Sequence, residues 1–240
     1  LPVSAPGSAG METVFANLLE RGDKAIVCVN GVFGGRMVEN VRRCGAVAIT
    51  LDQEWGKPVD PAAVEETLKA HPDAKLLAFV HAETSTGVLS DAKTLCALAD
   101  RYGCLSVVDA VTSLAGSELR VDDWGIDAIY SGTQKCLSCV PGIAPVSFSA
   151  RAVKVITQRR TPVQSWFLDL NLVMAYWGGS AKRAYHHTAP VNSLYALHEA
   201  LLILQEEGLT QSWERHARNH RALVAGIEAL GLSFVVAPEH

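Results

Sequence analysis

No stretch of eighteen apolar residues occurs in the 240 residues of this chain, so no helix of bilayer-spanning length is written into it. Nothing at its start resembles a secretory leader. It also lacks an excess of either charge: 21 Lys and Arg stand against 25 Asp and Glu, a formal net charge of -4, and the basic residues are scattered. A polyanionic nucleic acid is therefore not an expected partner, and neither is a membrane. No second Cys-x-x-Cys accompanies Cys136-Leu-Ser-Cys139 and no histidine lies near it, which argues against a metal or redox pair. Cys28, Cys44, Cys96, Cys104, Cys136 and Cys139 lie mostly in apolar runs and read as reduced small hydrophobes of an intracellular, soluble protein. No Gly-x-Gly-x-x-Gly follows the first strand, which excludes a Rossmann dehydrogenase. Internal repeats and low-complexity linkers are absent too. The chain does not begin with Met and ends in what reads as a strand, Leu232 to Ala237, so a fragment is expected.

What is there is the composition of a soluble α/β enzyme, 49% apolar and 19% charged, long enough for one large domain with a sizeable core. Apolar runs predict strands at Ala25 to Val29, Ala46 to Leu51, Lys75 to Val80, Leu105 to Asp109, Ile126 to Tyr130 and Ala144 to Phe148. Helical spacing predicts helices between them, among them Met11 to Leu19, Gly35 to Arg43, one opened by Asp60-Pro61, and Asp91 to Tyr102. Further helices are predicted at Ala150 to Arg159, Val191 to Glu207 and, after the break at Gly208, Gln211 to Leu230. The basic residues of that last helix, Arg215, His216, Arg218 and His220, read as a solvated face. Gln164 to Tyr176, rich in aromatic and apolar residues, suits a packed connector or subunit contact.

In such an architecture ligands lie outside the carboxyl ends of parallel strands, and the side chains able to do chemistry collect there. Lys135 follows the Ile126 to Tyr130 strand through Ser131-Gly132-Thr133-Gln134. Without a carboxylate neighbour it is expected to be partly desolvated, as an amine nucleophile requires, although an ordinary loop lysine fits the same position. Asp109 ends the Leu105 strand, where a carboxylate needs a cation or hydrogen-bond donors; a turn aspartate is the rival reading. Gly7-Ser8-Ala9-Gly10 opens a helix and suits a phosphate, or is merely a small-residue cap. Asn30-Gly-Val-Phe33-Gly-Gly35 sets three glycines around one flat side chain, which lets backbone approach a ligand unless Phe33 is a core anchor. His81-Ala-Glu-Thr84-Ser-Thr-Gly87 places five hydrogen-bonding side chains close together at another strand end. Tyr185-His186-His187-Thr188 offers two histidines but no nearby carboxylate, so a metal is not expected.

Taken together and in this order, these segments resemble the large domain of a fold-type I, class V pyridoxal-phosphate aminotransferase, most closely the alanine-glyoxylate and serine-pyruvate group. The resemblance covers nearly the whole chain. It implies a three-layer, mostly parallel sheet with helices on both faces. It divides the chain into a cofactor-binding large domain at 1–231, lacking its amino-terminal arm, and the start of a truncated small domain at 232–240. The cofactor would be pyridoxal 5′-phosphate, joined to Lys135 as a Schiff base, with Lys135 later shuttling a proton. Asp109 would hold the ring nitrogen protonated. Gly7, Ser8 and Gln134 would bind the phosphate, Thr84 the ring hydroxyl region, and Phe33 would stack on the ring. Tyr185 and Thr188 would reach the phosphate of the opposite subunit in a homodimer. Substrates would be a small amino acid, alanine or serine, and a 2-oxo acid, glyoxylate or pyruvate, in either cytoplasm or peroxisome. Phe33 stands where close relatives often have tryptophan, and Val140 where a second proline is frequent, which bears on substrate preference. Alternatives in the same superfamily are a cysteine desulfurase-like lyase, opposed by Gln134 and Phe33 where that branch has histidines, and a pyridoxamine-pyruvate type aminotransferase. A catalytically inactive dimeric scaffold is opposed by the presence of Lys135 and Asp109.

Overall fold

The computed structural model describes residues 1–178 and 184–240. In chain order the elements are β1 (Pro2–Val3), α1 (Gly7–Leu18), β2 (Lys24–Val29), α2 (Val32–Arg43), β3 (Val47–Asp52), α3 (Pro61–Ala70), β4 (Ala74–Val80), β5 (Ala82–Glu83) and β6 (Val88–Leu89). They continue with α4 (Ala92–Arg101), β7 (Leu105–Asp109), β8 (Ala128–Tyr130), β9 (Ala144–Phe148), α5 (Ala150–Thr157), α6 (Leu170–Trp177), α7 (Val191–Glu207) and α8 (Leu209–Ala229). The main sheet has the order β1-β9-β8-β7-β4-β2-β3. Strands β3, β2, β4, β7 and β8 run parallel; β9 and β1 close one edge antiparallel.

The central strands are the mainly apolar runs. Strands β7 and β8 are buried at every residue, and β4 at all but Lys75, as a parallel sheet covered on both faces requires. One core lies between the sheet and α1, α2, α5 and α6, with Phe15, Met37 and Ile156 in it. The other lies on the opposite face beneath α3 and α4, around Phe79, Leu68 and Leu95. This is the expected three-layer arrangement. Side-chain caps start several helices where the sequence supplies Asp or Ser: Asp60 accepts from Ala62 N–H, Asp91 from Thr94 N–H, and Ser149 from Ala152 N–H.

Three expectations change. Leu232 to Ala237 forms no strand, because its main chain finds no ladder partner; Leu89 N–H donates instead to His240 O at 2.8 Å. The basic face of α8 is only partly solvated: Arg218 and His220 are exposed, but half-buried Arg215 forks onto Glu207 and His216 turns its Nδ1 to Ser212 O. The aromatic connector contains helix α6, capped by Asp169. Among the described residues no helix is long and apolar enough to cross a membrane.

Helix α1 is closely seated on the sheet. It lies against β8 and β9 so closely that a Cβ on Gly10 would sit 2.9 Å from Ala144 Cβ and 3.2 Å from Tyr130 Cβ. Gly10→Val is therefore expected to lower the unfolding free energy by about 1–3 kcal/mol through overpacking, read by urea denaturation; an unchanged midpoint would show that the helix is free to shift.

Candidate active site

The register of the central strands places Val80, Asp109 and Tyr130 side by side at the carboxyl ends of β4, β7 and β8. Neighbouring residues in register share a face, and here Tyr130 Oη donates to Asp109 Oδ2 at 2.8 Å. Val111 N–H donates to Asp109 Oδ1 at 2.9 Å. The carboxylate is almost wholly buried, and among the described residues it has no ion pair. Burial pushes its pKa up from 3.8 to about 6, opposed by the bonds from Val111 and Tyr130 and reinforced by the charge of Glu83. A buried carboxylate supplied with donors but no cation suits a ligand that brings a protonated nitrogen.

The turn after β7 also fixes α1. A Cβ on Gly7 would lie 3.2 Å from Val111 Cγ2, 3.4 Å from Ser131 O and 3.6 Å from Gly132 Cα. A Cβ on Gly132 would meet Gln134 Oε1 at 2.8 Å, so Gly7, Gly132 and Gln134 are neighbours. The start of α1 is preceded by Pro6 and has no side-chain cap, while Ser8 is exposed. Its first N–H groups thus point outward at the positive end of the helix, a natural anion site, and the residues expected to hold a phosphate do come together.

Lys135 sits on a loop stapled at its base. Thr133, fully buried, donates through its N–H to Ile143 O and through Oγ1 to Val140 O, and its own carbonyl accepts from Cys139 N–H. Gly142, at φ +121°, takes a conformation that side chains rarely adopt. The loop carries Lys135 exposed, without an ion pair among the described residues, so the expected desolvation is not found in this chain.

Thr84 is exposed, with Oγ1 3.5 Å from Thr112 Oγ1, and Thr112 donates in turn to Ala82 O at 2.7 Å. The run 81–87 does not gather five side chains in one place, because it folds as the β5–β6 hairpin. His81 is buried edge-on against Trp124, and burial holds its pKa down to about 4. Phe33, half-buried in the first turn of α2, carries the Arg36 guanidinium 4.7 Å from its ring centre. The glycines around it serve the protein itself more than a ligand. A Cβ on Gly31 would overlap the Glu83 side chain at Cγ, and one on Gly34 would fall 2.8 Å from Cys28 O, whereas Gly35 faces open space.

Tyr185 and Thr188 are exposed and bonded to each other at 2.9 Å, and no hydrogen bond among the described residues joins them to Asp109, Gly7 or Lys135. Next to them His186 stacks on Trp166, its Nδ1 lies 2.7 Å from His187 Nδ1, and His187 Nε2 reaches Ser4 Oγ at 2.6 Å. Sequence alone assigns no role to Tyr130, Val111 or Thr133, which support the site, whereas Glu83, which also supports it, belongs to the hydrogen-bonding run 81–87. Of those three only Tyr130 carries a signal, as a strand-end hydroxyl in register with Asp109.

The sequence matches the family described as Aminotransferase class-V over residues 4–240. It is 40% identical to alanine-glyoxylate aminotransferase of Oryctolagus cuniculus over 98% of this chain and 60% of that protein. It is 37% identical to (S)-ureidoglycine-glyoxylate transaminase of Bacillus subtilis over 96% of this chain and 59% of that protein. The fold superposes on the crystal structure of alanine-glyoxylate aminotransferase from Nostoc sp. with a TM-score of 0.96 and 42% identity, covering 100% of this chain and 63% of that one. The chain thus spans about three-fifths of the length of these relatives.

The state of Asp109 is measurable without any ligand. Its folded pKa is raised, so between pH 4 and 6 the native state keeps a proton that the unfolded chain has lost, and native stability falls as pH rises through that window. A rise from 3.8 to about 6 corresponds to a penalty of about 3 kcal/mol above pH 6. Asp109→Asn should remove that part of the pH dependence, gaining on the parent at pH 7 relative to pH 4 in urea unfolding of cofactor-free protein. Identical pH slopes for the two proteins would show that Asp109 is not buried as a carboxylate.

Proposed function

Because the chain belongs to the class-V aminotransferase family, we propose that the whole protein is a pyridoxal-phosphate-dependent transaminase. It moves the amino group of a small amino acid, alanine or serine, to a 2-oxo acid, glyoxylate or pyruvate. The observation that carries this reading is Asp109, a buried carboxylate with two donors and no cation among the described residues. Glyoxylate is favoured as acceptor, since it stands in the names of both relatives, the rabbit and the Bacillus subtilis proteins.

When bound, the cofactor supplies an electron-accepting ring that stabilises a carbanion at the substrate Cα. The chain's own residues divide the remaining work. Asp109 keeps a proton on the ring nitrogen. The Gly7 and Ser8 N–H groups and Gln134 would hold the phosphate, and Thr84 would hydrogen-bond the ring hydroxyl region. Phe33 offers a flat apolar face for the ring. Lys135 Nζ is the group that attaches the cofactor and moves the proton at Cα, and the reach of its exposed, stapled loop suits both tasks. Residues 1–231 form the cofactor-binding domain, and 232–240 open a second, smaller one.

Lys135→Ala should fold normally but lose pyridoxal phosphate that becomes fixed to the protein on borohydride reduction, together with at least about three decades of turnover. A variant that still fixes cofactor and turns over normally would refute the assignment.

The protein is further proposed to be a homodimer in which Tyr185 and Thr188 serve the partner's phosphate. In support, both are exposed and held as a pair in their own subunit, and helix α7 beyond them has no buried residue despite exposed Tyr195, Leu201, Leu202 and Ile203. Mixing Lys135→Ala chains with Tyr185→Phe, Thr188→Ala chains should give heterodimers with one intact site, and activity above that of either variant. If heterodimers form and activity does not rise, the sites are not shared.

A further inference from the structure

We propose that Glu83 is a positioning residue, which caps helix α2 from outside and thereby fixes the height and tilt of Phe33 over the ring site. The inference deepens the transaminase reading and depends on it. Helix α2 begins without a cap of its own, because Gly31 before it has no side chain. Glu83 takes over that task from across the fold. Phe33 N–H donates to Glu83 Oε2 at 3.2 Å, and Val32 N–H donates to Ser85 Oγ at 3.0 Å. Ser85 Oγ–H and Ser85 N–H both donate to Glu83 Oε1, at 2.7 and 3.1 Å. The carboxylate is 1% exposed and has no ion pair among the described residues, so it is held by backbone and hydroxyl donors at the positive end of a helix.

Two structural features join this cap to the site. The backbone of Glu83 is fixed by the short β5–β6 hairpin, where it pairs with Val88, so the carboxylate is a rigid anchor rather than a loop side chain. Gly31 is shaped to it: its φ of 174° is ordinary extended backbone, yet a Cβ there would overlap Glu83 Cγ and Cδ and lie 2.6 Å from Ser85 Oγ. Phe33 is partly buried against the core, and Arg36 lies over its ring, so the backbone anchor from Glu83 sets how the remaining exposed part of the ring is presented to the cofactor.

A purely architectural Glu83 would affect stability and leave the bound cofactor in its native setting. A positioning Glu83 alters the cofactor's own signals. In the full-length protein, Glu83→Gln places an amide N–H₂ against N–H donors. It should weaken pyridoxal phosphate binding about tenfold, the scale of one charge-assisted hydrogen bond, and at least halve the visible circular dichroism per bound cofactor. Phe33→Leu should do the same, and the double variant should be no worse than the poorer single one within about twofold, because one residue acts through the other. Gly31→Ala, which displaces the Glu83 side chain sterically, should reproduce the signature and replaces Glu83→Gln if that variant does not fold. Parent-like affinity and visible dichroism in Glu83→Gln, whatever its melting temperature, overturn the proposal, as do effects that multiply in the double variant. A parent protein that binds no pyridoxal phosphate overturns the transaminase reading along with it, which separates the two failures.

Discussion

The burial of Asp109 at the end of β7 is the constraint on which the rest of the site depends. To keep a carboxylate there, the fold brings Tyr130 into register on β8 and folds the next two residues back so that Val111 N–H reaches it. The same Val111 then presents its side chain to Gly7, where an added Cβ would make a tight 3.2 Å contact with Val111 Cγ2. One three-residue turn therefore fixes both a proton-holding group and a helix start suited to an anion. Asp109 and the start of α1 thus share Val111 as a common neighbour.

Asp127, at the other end of the same region, shows what a structural aspartate looks like here. It is about as buried as Asp109, but its carboxylate accepts from Ser106 N–H and Ser149 Oγ and is forked by Arg151 at 2.6 and 3.1 Å. Charge and hydrogen bonds are both complete, and β7, β8 and α5 are tied together by it. Asp109 has the hydrogen bonds without the cation, and its proton affinity is raised accordingly. Two carboxylates of similar burial in one sheet thus separate by their partners, and the incomplete one is the functional candidate.

The layer order and most strands were legible because β4, β7, β8 and β9 are mainly apolar runs bounded by polar or small residues. The Leu232 to Ala237 run reads identically in sequence and fails as a strand, since pairing depends on an edge that local composition does not report. Candidate residues whose proposed chemistry rests on one side chain at a strand end, Asp109 and Lys135, can be named from sequence alone. Residues that act through geometry cannot. Thr133 staples a loop through three hydrogen bonds, and nothing in a Ser-Gly-Thr run distinguishes it from a spacer. Lys135 is exposed on the loop beyond that staple, so the lack of a nearby carboxylate in sequence was a poor guide to its surroundings.

The glycines around Phe33 show the same limit most fully. By composition, three glycines beside an aromatic suggest a backbone thinned for a ligand. In the fold each has a different reason. Gly34 lets α2 press onto β2 near Cys28 O and Val29 Cα, and Gly31 clears room for a buried carboxylate, while Gly35 is under no steric demand at all. A glycine can therefore mark a close approach or nothing at all, and only the fold tells which, and whether what comes near is a ligand or another part of the chain. Where it is another part of the chain, and that part is a buried charged group beside the site, the glycine still bears on function, one contact removed.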